Sequence, residues 1–174
     1  MTFILRHPGY TDQFCTHDDS LSTTVAAGAV VYLSGTDAAT GRALVTTVTG
    51  VSQRPYGFLM QKVKAVSAEV PTGYRWPGDL GSSDAYTGDP VGVAHLGIAS
   101  TTHYTLDTGK TVFAAGEVLY ANVSLDTGKV QNGTTLANAD NGDGSTPMPV
   151  AEVVVGLPAA QITAGSPLLI KLLI

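Results

Sequence analysis

Charge is scarce in this sequence: Asp, Glu, Lys and Arg make up 13% of its 174 residues, against roughly 25% in ordinary soluble domains. A surface so poor in charge suggests that part of it meets another protein. The nine Lys and Arg are scattered from Arg6 to Lys171 and the net charge is −5. No basic stripe follows a phosphate backbone, so no nucleic-acid partner is expected. Cysteine is almost absent as well. Cys15 stands alone, which excludes an internal disulfide and any metal site assembled from several cysteines of one chain. Long hydrophobic runs are missing too: the C-terminal "PLLIKLLI" falls far short of the roughly 20 residues that a membrane-spanning helix needs. The opening "MTFILRHPGYTDQF" lacks the apolar run of about 7 to 15 residues of a signal peptide. Export by that route is not expected, and the chain reads as soluble or as part of a soluble assembly.

What is abundant is Thr, Val and Gly, which together supply 61 of the 174 residues. That composition favours strands punctuated by turns over helices. Short runs such as "AGAVVYLSG", "RALVTTVTGV", "PVGVAHLGIAS", "EVLYANV" and "PVAEVVVGL" each fit a strand of about five to eight residues. The spacing predicts about ten strands in an all-β domain, a small barrel or sandwich with one core. Two stretches, residues 71–89 and 132–149, are Gly-, Pro-, Asp- and Ser-rich and read as long loops. The first holds Tyr74, Arg75, Trp76 and Tyr86, residue types that anchor interfaces. Residues 1–24 are irregular and polar after the first five and read as an extended arm. Such an arm either packs on its own domain, residues 25–174, or reaches a neighbour.

One pattern recurs. "AAGAVVY" at residue 26 and "AAGEVLY" at residue 114 each lead through an apolar strand to a Thr-Gly-(Arg/Lys) turn, at 40–42 and 127–129. "PYGFLMQKV" at 55 then corresponds to "PVAEVVVGL" at 149, and "TGDPVGVAHL" at 87 to "AGSPLLIKLL" at 164. Four landmarks in one order imply an internal pseudo-repeat, with half-units near 25–100 and 112–174 that cannot bury both sheet faces alone.

Motifs that carry chemistry are lacking. No two of His7, His17, His95 and His103 have the i, i+4 spacing of a helical zinc motif. "CTHDD" at 15–19 is the densest polar group and reads as a solvated or interface segment. "ADNGDGS" at 139–145 puts Ala at the first position of a calcium loop and Val150 where the closing Glu belongs. No nucleophile elbow, phosphate loop or dinucleotide fingerprint occurs. The sequence thus points to a protein without catalytic residues, cofactor or metal.

With the duplicated "AAGxV(V/L)Y" strands, the "TG(R/K)" turns, "YTGDPVGVAHLG" and "ITAGSPLLIKLLI", residues 25–174 resemble the capsid decoration, or cement, proteins of tailed bacteriophages. The resemblance implies a structural virion protein made in the host cytoplasm. It would bind the major capsid protein on the outer surface of the head and stabilise contacts between capsomers. It also implies a homo-oligomer, a trimer ahead of a dimer. On that reading Phe3, Leu5, Tyr10 and Phe14 of the arm are the first candidates for capsid or subunit contact, with Tyr74, Arg75, Trp76 and Tyr86 second. The alternative is a carbohydrate- or receptor-binding β module of a phage tail or fibre, for which Tyr74, Trp76 and Tyr86 would supply an aromatic platform.

Overall fold

A computed structural model describes residues 3–6, 10–18, 24–65, 84–124, 126–134, 137–140, 142 and 146–174. Within them the chain forms fourteen strands and one helix of five residues, so the architecture is all-β. In chain order the first eight are β1 (Phe3–Leu5), β2 (Thr11–His17), β3 (Val30–Thr36), β4 (Ala43–Thr47), β5 (Gly57–Leu59), β6 (Lys62–Lys64), β7 (Asp84–Tyr86) and β8 (Pro90–Ala94). Then come β9 (Leu96–Thr101), β10 (Tyr104–Thr105), β11 (Val118–Ala121), β12 (Val130–Gln131), β13 (Pro149–Val155), α1 (Ala159–Thr163) and β14 (Leu168–Leu173).

Five strands close into a barrel in the order β2-β4-β3-β5-β8, and seven form a curled sheet in the order β1-β9-β14-β13-β11-β12-β10. The chain itself ties β10, at one end of the curl, to β9, the second strand from the other end, because only Thr102 and His103 separate them. Strands β6 and β7 make a separate parallel ribbon.

The two sheets repeat one topology. In the barrel Val30 pairs with Phe58 and Phe58 with Ala94; in the curled sheet Val118 pairs with Glu152 and Glu152 with Lys171. These are the partners obtained by superposing the sequence landmarks. The equivalence reaches further: Thr11 pairs with Ala94 as Ile98 does with Lys171. The parallel pairing of β2 with β4 returns as that of β10 with β12. Turn glycines match as well, with positive φ at Gly28 and Gly116 and again at Gly41 and Gly128.

This pairing corrects the reading of residues 1–24 as an arm and moves the half-units to begin at β2 and β9. Strand β2 closes the barrel between β4 and β8, and β1 adds to the outer edge of β9. Its polar letters hid the strand because only one side needs to be apolar.

Alternation divides the core. Cys15, Val31, Val45, Leu59, Val91 and Val93 fill the barrel. Their neighbours Val30, Phe58 and Ala94 face the other way and join Phe3, Leu119, Val153 and Ile170 in a second cluster that the two sheets share. At about 1.5–3 kcal/mol for each large side chain removed from water, this shared cluster makes the halves one folding unit.

Candidate interaction face

Polar clusters come first, since they would carry any chemistry. At one end of the barrel the Tyr56 hydroxyl donates to Asp12 Oδ2 at 2.7 Å, and Cys15 Sγ donates to the same oxygen at 3.6 Å. Burial, then the Asp12 charge and hydrogen bond, push the Cys15 thiol up to about 12. It is therefore a thiol at neutral pH, not a nucleophilic thiolate. His95 packs edge-on against Tyr56, with ring centroids 4.6 Å apart, and burial lowers its pKa. His17 is buried, with Nδ1 3.1 Å from the Asp18 carbonyl. Among the described residues, no three of His, Cys, Asp and Glu are placed to hold a metal ion.

The expected contact residues are spread widely. Phe3 is buried and stacks on Phe58, and Leu5 is half-buried against the same cluster. Both point inward because β1 alternates, which leaves Ile4 between them exposed. Tyr10 is exposed beside the His95 ring. Phe14 belongs to β2, but its side chain lies outside the described residues, as do Tyr74, Arg75 and Trp76. Tyr86 is half-buried in β7 and pairs with Lys64.

A set of residues not singled out in the sequence forms one surface. In β14, Leu168, Ile170 and Leu172 are buried, so Leu169, Lys171 and Leu173 face outward. Across the ladders Leu173 is opposite Leu96, Lys171 opposite Ile98 and Glu152, and Leu169 opposite Val155. Val118 extends the Glu152 position onto β11. A register shift between Val153 and Val155 leaves Val154 and Val155 exposed together. Val155 is 57% and Leu96 51% exposed. The result is an apolar face across four strands, with one Lys and one Glu at its centre. The signal available in the sequence was the alternation within "PLLIKLLI", where Lys171 marks the outward side.

The equivalent face of the barrel is closed. Val30, Phe58 and Ala94 are fully buried where Val118, Glu152 and Lys171 reach solvent. Fold and face together define an all-β protein of two pseudo-repeated sheets with one apolar side exposed. No family model matches the chain, and no curated protein matches its sequence.

Proposed function

We propose that the protein is a structural component of a tailed-phage virion that binds the outer surface of the head, against the major capsid protein, and stabilises contacts between capsomers. It acts by binding, without catalysis. The observation that carries the reading is the scarcity of charge, only 13% of the residues, in a chain that also exposes Tyr10, Leu33, Val51 and Val112 outside β9, β14 and β13. Depletion of charge marks the core of protein–protein interfaces. The sequence resemblance to decoration proteins supports the same conclusion. Stabilisation follows from mass action: a ligand that binds only the closed shell contributes about 2.7 kcal/mol per site at a hundredfold excess over Kd. Many sites on one shell add up. The test is co-sedimentation of the purified protein with expanded heads of the phage that encodes it. Saturable binding and a higher temperature of head disruption are expected; protein left in the supernatant at every concentration would overturn the proposal.

A further inference from the structure

We propose that a second copy of this chain covers the outer face of β9, β14, β13 and β11, in a two-fold dimer whose axis runs parallel to the strands between β13 and β14. The basis is a row of four residues that cross the face side by side in register: Ile98, Lys171, Glu152 and Val118. Read across, the row is apolar, positive, negative, apolar.

A two-fold axis lying in the interface between Lys171 and Glu152 reverses that row onto itself. Each Lys171 then meets a Glu152 of the other copy, and each Ile98 meets a Val118. The next row, Leu169 beside Val155, is apolar at both positions and reverses onto itself as well. A two-fold interface requires this kind of self-complementarity, because the same patch serves both partners. Within one copy Lys171 and Glu152 lie opposite each other, yet they form none of the ion pairs seen among the described residues. Their charges are available across the interface.

Electrostatic matching of this sort sets register and suppresses wrong docking. Sliding one copy by one strand would bring Lys171 over Lys171 or Glu152 over Glu152. Packing two sheets with their strands nearly aligned is an ordinary arrangement for β faces. Four strands about 4.8 Å apart and six residues at about 3.3 Å give a face on the order of 20 Å square. Two such faces remove on the order of 1,000 Å² from water, the lower bound for specific association.

Dimer formation is separate from head binding, and the experiment keeps them apart. The full-length protein, without heads, is followed by sedimentation equilibrium over a concentration series, starting from a chain mass of 17.9 kDa. A monomer–dimer equilibrium is expected. Lys171→Glu and Glu152→Lys should each raise the dissociation constant at least about tenfold, because each sets like charges against one another at two symmetric contacts. The two single variants mixed in equal amounts should form a heterodimer with near wild-type affinity, and so should the double charge swap with itself. Both side chains point to solvent, so the variants should keep the wild-type circular dichroism. A monomer at all concentrations, a trimer, or a dimer indifferent to both reversals would overturn the proposal. None of these outcomes would alter the head co-sedimentation result.

Discussion

The ring of Phe3 stacks on that of Phe58 with centroids 5.9 Å apart and planes 10° from parallel. Phe3 belongs to the curled sheet and Phe58 to the barrel, so this pair joins the two sheets through the shared core. Phe3→Ala is expected to destabilise the whole protein by about 3 kcal/mol, seen as one shifted transition in urea with unchanged slope. Deleting residues 1–20 is expected to abolish cooperative folding, because it removes the strand that closes the barrel along with β1.

Gly28 and Gly116 hold the same place in the two halves and both have positive φ, 87° and 79°. Their surroundings differ. A Cβ on Gly28 would lie 2.7 Å from Thr101 Oγ1, whereas one on Gly116 would meet nothing within 4 Å. Gly116→Ala should therefore cost only the backbone strain, about 1 kcal/mol. Gly28→Ala should cost that plus about 1–3 kcal/mol of overpacking. Paired thermal unfolding scans measure the difference, and equal losses would contradict it.

Three buried imidazoles have a nitrogen with no hydrogen-bond partner among the described residues: Nε2 of His17, Nε2 of His95 and Nδ1 of His103. Burial, and then Lys129, lower His103 to about 4, while Asp126 opposes the shift. A base whose folded pKa is depressed binds its proton more readily when unfolded. Stability is therefore full above the ordinary imidazole value of about 6.5 and falls as pH drops from there towards 4. For His103 the loss approaches about 3 kcal/mol, at 1.36 kcal/mol per pKa unit. Urea midpoints measured from pH 7.5 to 4.5 should fall for the wild type and fall less for His103→Gln. Asp126 and Glu117, both held low, lose their contributions at more acid pH and should not blur this window.

Cys15 is fully buried, and its thiol is raised to about 12. Alkylation by iodoacetamide at pH 8 should be limited by opening of the barrel. The labelling rate should rise steeply through the urea transition, whereas rapid labelling of the native protein would show that β2 opens locally.

The strand-rich class and the duplication could be read directly, because turn glycines and Gly-x-Pro strand starts are local signals. "TGDPVGVAHL" and "AGSPLLIKLL" align as written and carry equivalent register partners in the two sheets. Strand β2 was not legible, since Thr11, Asp12 and Gln13 look like loop residues until β4 and β8 are known to flank them. The face was half legible. "PLLIKLLI" gives the outward side of β14, but Glu152 becomes the neighbour of Lys171 only through a pairing that no local pattern announces. Of the residues first proposed for contact, Phe3 lies in the core, because its neighbour Ile4 takes the outward position.

Strands β1 and β14 flank β9 on opposite sides and run in the same direction, both antiparallel to it. The outer end of β1 sits at Thr101, and the far end of β14 sits at Leu96. A pull on Phe3 and Leu173 in opposite directions therefore acts along the strands. The ladder hydrogen bonds on both sides of β9 must then break together in shear, not one at a time as in an unzipping hairpin. Tension between Phe3 and Leu173 is carried by β9, which β1 grips over Ala99–Thr101 and β14 over Leu96–Thr101.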